Sequence, residues 1–383
     1  MQSIICLNEG RKVVKAGILT FHFANNYGAV LQTFALQQAL LSLHIENEII
    51  DYRCPAILAV EPRRMNPFSV TRENGIIVYA KNVIYNTWAL NHYGSRRRKF
   101  EQFRKTYLSV NCVVCDDSKK INENGEFSAF VCGSDQIWNA KITNGYDDAY
   151  FCAFPGASNS SNIAYAASCG KSGIGNDDTA FFNLLNNFNA ISVRERSLAE
   201  SLKQVDGKTV ECVLDPTLLV SPDLWNQFPN TGKYRGKKYI ILYMIEENAE
   251  VITLARKIAA ETGLEIYEIT TKKQLRRNGI HQLDNCGPEE FVDLFRNCSY
   301  VVTNSFHGTC FSLIFEKSFV TIPHSLVGQR MIDLLHDVGL DDCITYTADS
   351  WKVHPIEYVE VKKKIELLRS KSTEFLKKFL LSE

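Results

Sequence analysis

YVVTNSFHGTCFSLIFEKSFV, residues 300–320, reads as a buried strand, a tight polar turn, an apolar helix and a second strand. Strand, helix and strand in so short a span make a parallel crossover, and parallel strands need helices on both faces of their sheet. The same stretch raises a chemical question. It is built for burial, yet His307 stands where the strand gives way to the helix, followed by Gly308 and Thr309. A helix N-terminus offers N–H groups and a positive dipole end to an anion, and a histidine there can exchange protons near neutral pH.

Outward from this stretch the alternation repeats. Val13–Phe21 reads as a strand, Gly28–Leu43 as a helix with a broad apolar face, and Asn47–Tyr52 as the next strand. Strands are expected over Phe127–Asp135, Asn162–Ser168, Asn189–Leu198 and Glu211–Val220. A second series runs from Lys237–Ile245 through a helix near Glu250–Thr262, the strand Leu264–Thr270 and a helix near Pro288–Asn297. Turn residues and charges over Ser221–Lys238 separate the series. We expect an N-terminal domain over 1–225, and a C-terminal domain over 226–383 that carries a charged amphipathic helix at its end.

The 383 residues suffice for two domains, and 45% hydrophobic with 22% charged residues is ordinary for a globular chain. Lys plus Arg and Asp plus Glu balance at 43 each, which argues against a general nucleic-acid binder. No apolar run reaches the roughly 18–20 residues that span a bilayer, and the N-terminus lacks a signal-peptide core, so a cytoplasmic location is expected. Of the 12 cysteines only Cys112 and Cys115 form a C-x-x-C, with no second pair or histidines at ligand spacing; no metal site and no cofactor are expected. Residues 94–110, GSRRRKFEQFRKTYLSV, read as a basic helix. Its charges are either a solvated face or a contact for a phosphate-rich or membrane-bound acceptor.

Ligands of open α/β sheets bind beyond the carboxyl ends of strands. The first loop presents Asn25, Asn26, Tyr27 and Gly28, which suits sugar hydroxyls or an anion, or simply a capped turn. The loop VCGSDQIWN presents Asp135 and Gln136, with Trp138 placed to stack on a sugar; capping is the plainer reading. Arg194 follows an apolar strand and would grip phosphate or carboxylate, or make an interdomain salt bridge, with Arg196 a weaker candidate. Asp215 before Pro216 reads chiefly as a turn-former and cap. The fifth strand end carries Asn304, Ser305, His307, Gly308 and Thr309.

GILTFHFANNYGAVLQTFALQQAL, GSDQIWN, SVRERSL, LDPTLL and TNSFHGTCFSLIFEKSFV follow one another in an order and spacing that resemble the polysaccharide pyruvyltransferase family, from about Val13 to Leu335. The resemblance implies a GT-B-like fold of two Rossmann-like domains facing a cleft. It implies transfer of a pyruvyl group from phosphoenolpyruvate to two hydroxyls of a sugar, forming a ketal in a cell-surface polysaccharide or its lipid-linked precursor. On it, His307 is the acid/base. The resemblance also makes Arg194 a donor ligand; from the strand-end reading Arg196, Asn304, Ser305, Gly308 and Thr309 are expected on the donor side with it, and Asn25, Asn26, Tyr27, Gly28, Asp135 and Gln136 on the acceptor side. Many members carry an arginine where this chain has Ser305; Arg194, Arg196, Lys317 and Arg330 are the cations available in its place. A lipid-linked acceptor would bring the protein to the inner face of the membrane. A GT-B glycosyltransferase using a nucleotide-sugar, with Glu316 on its ribose, is the alternative enzyme, and a non-catalytic glycan-binding relative is the alternative without turnover.

Overall fold

The protein, described here by a computed structural model, is defined over residues 14–60, 94–111, 113–122, 125–170, 174–175, 178–203, 205, 207–208, 210–270, 276–351 and 355–381. The N-terminal stretch through Val13 and Cys112 of the C-x-x-C pair lie outside these residues. No helix among them is long and apolar enough to cross a membrane.

Two parallel sheets carry the fold. The first contains β1 (Lys15–Leu19), β2 (Glu46–Ile49), β3 (Ala129–Asp135), β4 (Ser161–Ala167), β5 (Ala190–Val193) and β6 (Val210–Cys212), in the order β2-β1-β3-β4-β5-β6. The second contains β7 (Tyr239–Tyr243), β8 (Glu265–Ile269), β9 (Ile280–Leu283), β10 (Tyr300–Thr303) and β11 (Ser318–Thr321), in the order β11-β10-β7-β8-β9. Central strands such as β7 are buried at every residue, as sheets covered on both faces require. Each order reverses direction once, at β1/β3 and at β7/β10, and these reversals open the crevices where α/β sheets take ligands.

The helix Tyr27–Ser42 departs from its expected amphipathic form and is buried nearly all round. The cause is its position. It packs in one continuous core with Ile18 and Val131 of the first sheet and with Ile241, Phe291 and Phe311 of the second domain. Tyr27, at its start, stacks on Phe291 at 4.6 Å, and its hydroxyl donates to the Cys286 carbonyl at 2.8 Å.

The basic helix spans 94–107 and lies across the same junction. Arg96 is buried, with its guanidinium over the rings of Tyr27 and Phe100; Lys99 pairs with Glu290, and Tyr107 bonds Glu289. Arg97, Arg98 and Lys105 point to solvent. The charged helix at the end of the chain, Tyr358–Leu380, leaves the second domain and returns to the first. The hydroxyl of Tyr358 bonds the Lys317 carbonyl, whereas Ser372 accepts from the Leu214 N–H and Phe375 lies against Tyr165. Its 23 residues reach about 35 Å, enough to strap both sheets.

The junction is thus part of the core, and its loss should register as loss of stability. Tyr27→Ala should lower the unfolding free energy by about 3–5 kcal/mol. Tyr27→Phe, which strands the Cys286 carbonyl and removes the acceptor that Arg96 Nε meets at 3.4 Å, should cost about 1–3 kcal/mol. Urea denaturation followed by tryptophan fluorescence checks both.

Candidate active site

β10 ends at Thr303, and the next three residues set the turn. Asn304 is fully buried; its side chain accepts from the Ile245 N–H at 2.9 Å and donates to the Glu246 carbonyl at 2.7 Å, tying the β10 and β7 ends together. Ser305 caps the helix Phe306–Ile314 by accepting from the Gly308 N–H at 3.3 Å. Gly308 has no room for a Cβ, because the Thr303 hydroxyl fills that space; the glycine serves packing on β10 rather than approach to a ligand. Thr309 bonds back to the Ser305 carbonyl at 3.3 Å.

His307 sits in the first turn of this helix and is 7% exposed. Its ring crosses the domain gap and rests on Gly28, where a Cβ would overlap Nδ1. Nε2 lies 3.7 Å from the carboxylate of Asp215, within ion-pair reach but longer than a hydrogen bond, and has no hydrogen-bond partner among the described residues.

Asp215 is the buried hub, 2% exposed. One oxygen accepts from the Thr217 N–H at 3.0 Å and its hydroxyl at 2.7 Å, which is the capping role read from the sequence. The other accepts from Arg194 Nη1 at 2.9 Å and Ser134 Oγ at 3.2 Å, and faces His307. Burial alone would raise its pKa. The charges of His307 and Arg194 and the Thr217 N–H overcome that and hold the carboxyl well below its ordinary value.

Arg194 follows β5 and is likewise buried, with Nη2 3.5 Å from Asp135. Burial opposes its charge, but Asp215, Asp135 and Glu195 together raise its pKa. Glu195 is buried against Ser168, and burial raises its pKa, while Arg194 and Arg330 pull the other way. Arg330, from the helix Gln329–Val338, is buried too, and its guanidinium and that of Arg194 both lie against the ring of Phe306, at 5.1 and 5.3 Å.

The structure therefore gathers His307, Gly28, Arg194 and Asp135 at one place. To them it adds Asp215, Ser134 and Glu195, and of the cations named for the Ser305 position it brings in Arg330. Asp215 had a visible signal in its position at a strand end before proline. Glu195 lay between the two candidate arginines. Nothing local marked Ser134 or located Arg330.

Other candidates are engaged elsewhere. Arg196 turns out of the gap to pair with Asp337. The Asn25 carbonyl accepts from Arg96 at 2.9 Å, and its amide oxygen faces Arg104 at 3.3 Å. Asn26 is exposed and caps the first helix through the Ala29 N–H. Tyr27 is sealed in the junction, and burial pushes its phenol well up. Gln136 accepts from Asn139 at 2.8 Å and is half-buried. Trp138, expected to stack on a sugar, is 1% exposed among Phe151, Phe181 and Phe188, so it belongs to the core. Glu316, the ribose candidate, follows the opposite end of His307's helix and pairs with Lys362 at 3.2 Å.

Solved structures of similar form span nearly the whole chain. The UDP-GlcNAc 2-epimerase from Neisseria meningitidis, solved bound to UDP-GlcNAc, matches at 9% identity over 97% of this chain and 100% of that one, with a TM-score of 0.50. A protein assigned as UDP-N-acetylglucosamine 2-epimerase from Listeria monocytogenes matches at 9% identity over 95% and 89%, also with a TM-score of 0.50. The glycosyltransferase SnogD from Streptomyces nogalater matches at 11% identity over 95% and 96%, with a TM-score of 0.42. At 9% identity the two matches with a TM-score of 0.50 show a likeness of fold alone, which with the two parallel sheets is that of two Rossmann-like domains in a GT-B-like arrangement. A search of curated proteins found no match. The family described as polysaccharide pyruvyl transferase matches residues 26–325, a span that runs from the cap of the first helix past His307, and the chain belongs to that family.

Proposed function

We propose that the protein transfers the pyruvyl group of phosphoenolpyruvate to two hydroxyls of a sugar, forming a cyclic ketal. The observation that carries the reading is the imidazole of His307, seated on Gly28 across the domain gap and facing the buried Asp215–Arg194 pair. Phosphoenolpyruvate brings a phosphate and a carboxylate, for which a guanidinium with free N–H groups is the natural partner. Asn26, Asp135 and Gln136 retain some exposure and are the acceptor-side candidates.

The chemistry asks for one group that gives and takes protons. The protonated imidazole delivers a proton to the methylene carbon of the donor, which becomes a methyl group, and the adjacent carbon becomes an oxocarbenium-like electrophile. A sugar hydroxyl attacks that carbon and its proton returns to the ring. The bond to phosphate then breaks. The second hydroxyl attacks the same carbon and closes the ketal, its proton leaving with the phosphate. Asp215 offers the protonated ring a counter-charge and fixes the arginine beside it.

A lipid-linked acceptor fits the outward face of the 94–107 helix. Arg97, Arg98 and Lys105 are the exposed cations there, whereas Arg96 is committed to Tyr27 and belongs to the junction.

His307→Gln should lower the rate of phosphate release from phosphoenolpyruvate in the presence of acceptor glycan by about 10²–10⁴-fold while phosphoenolpyruvate still raises the melting temperature. Near-full activity in that variant would remove the assignment. For Asp215, a folded-state pKa below the ordinary 3.8 means stabilisation that is complete above about pH 4 and lost as pH falls further. Asp215→Asn should therefore melt below the wild type at pH 7, with the difference shrinking below pH 4 in a pH series of melting curves. Arg97→Gln with Arg98→Gln should weaken sedimentation with anionic liposomes, at about 1 kcal/mol per charge, and leave folding unchanged. Equal sedimentation of the two proteins would discard the membrane contact.

A further inference from the structure

Two buried guanidiniums share one aromatic ring, and neither is fully satisfied. Arg194 Nε and Nη2 and Arg330 Nε and Nη1 have no hydrogen-bond partner among the described residues. Each arginine is only 5% exposed. Burying a polar N–H without a partner costs free energy, and burying two like charges side by side costs more. Four such nitrogens on two adjacent arginines are not an arrangement that stabilises the empty fold. They describe a place prepared for an anion with several acceptor oxygens.

The carboxylates nearby do not fill that place. Asp215 is already bonded to Arg194 Nη1, Ser134 and Thr217. Asp135 stands at 3.5 Å from Arg194 and accepts from the Gln136 N–H at 2.8 Å. Glu195 accepts from Ser168 through one oxygen, and its other oxygen has no partner among the described residues, so it leaves the arginine N–H groups open. Of the remaining cations, Arg196 is turned to Asp337, and Lys317 follows the far end of the nine-residue helix that begins beside His307, about 13 Å away along its axis.

We infer that Arg330 is a donor-binding residue: with Arg194 it forms a two-arginine clamp, braced on the ring of Phe306, for the carboxylate and phosphate of the donor. The clamp rests on the phosphoenolpyruvate reading of the site and adds to it a residue from outside every strand-end motif. It gives the position held by Ser305 a different task. Ser305 caps the helix, and the cation comes from the start of a later helix instead. Because a guanidinium presents a planar fork, lysine at position 330 would keep the charge but lose the paired geometry.

The test compares the intact wild-type protein with Arg330→Gln and Arg330→Lys by calorimetric titration of phosphoenolpyruvate and, separately, of inorganic phosphate, alongside melting temperatures without ligand. Arg330→Gln should weaken phosphoenolpyruvate binding about 10- to 100-fold, with Arg330→Lys between it and the wild type. The ligand-free melting temperature should stay level or rise, since a buried, unsatisfied like charge has been removed. A structural arginine would behave oppositely. A lower melting temperature with unchanged binding would overturn the clamp, as would wild-type affinity in Arg330→Gln. If the wild type binds phosphate in an Arg330-dependent way but ignores phosphoenolpyruvate, the clamp stands as an anion site and the donor assignment fails. If neither anion binds the wild type, both fall.

Discussion

The contact on which this molecule turns is that of the His307 ring with Gly28. It joins the first turn of a helix in one domain to the first turn of a helix in the other, and it brings the imidazole up to a carboxylate, Asp215, that burial would otherwise neutralise. Only a residue without a side chain can stand at position 28, because any Cβ would occupy the space of the ring. The charge on Asp215 persists because Arg194, Ser134 and Thr217 supply donors on all sides of it. A buried ion pair is weak evidence for stability in its own right, since desolvation offsets much of the attraction. Its value here is positional. It fixes where a proton-carrying ring finds its counter-charge.

The rest of the architecture holds that contact in register. The helix that starts at Tyr27 gives up its solvent face and becomes core for both domains, with Tyr27 stacked on Phe291 and the 94–107 helix locked over it by Arg96 and Lys99. The strap Tyr358–Leu380 ties the far sides together. This explains why several polar residues near the first loop are not free for a ligand. Asn25 and Tyr27 are used to join the domains, and the surface left over at Asn26, Asp135 and Gln136 is small. Polar chemistry at a strand end can serve an interface as readily as a substrate, and the choice depends on what the second domain brings against it.

The alternation of strand and helix was legible because it depends on local periodicity and on turn residues. The strand Ser161–Ala167, the helix Pro288–Asn297 and the strand–helix–strand unit at 300–320 all lie within a residue or two of their reading. The expected strands over Asn189–Leu198 and Glu211–Val220 are shorter than read, because a helix opens at Arg196 and another at Pro216. β9, Ile280–Leu283, had no reading: its four residues, IHQL, are too few and do not alternate apolar with polar, so they give no period. Arg194 could be singled out because it directly follows a buried strand, and His307 because it stands at a strand-to-helix turn.

By itself, then, the amino-acid order determined two parallel sheets, the turns at their carboxyl ends and the presence of an imidazole at one of them. Those features are encoded over a few residues each, through hydrophobic period and backbone preference. Tertiary structure alone decided that Gly28 would seat His307, that Asp215 would face it as well as cap a helix, that Trp138 would enter the core and that Arg330 would reach Phe306. Each of these joins residues far apart in the chain. Burial and electrostatic pairing depend on everything that closes round a group, which no local pattern contains.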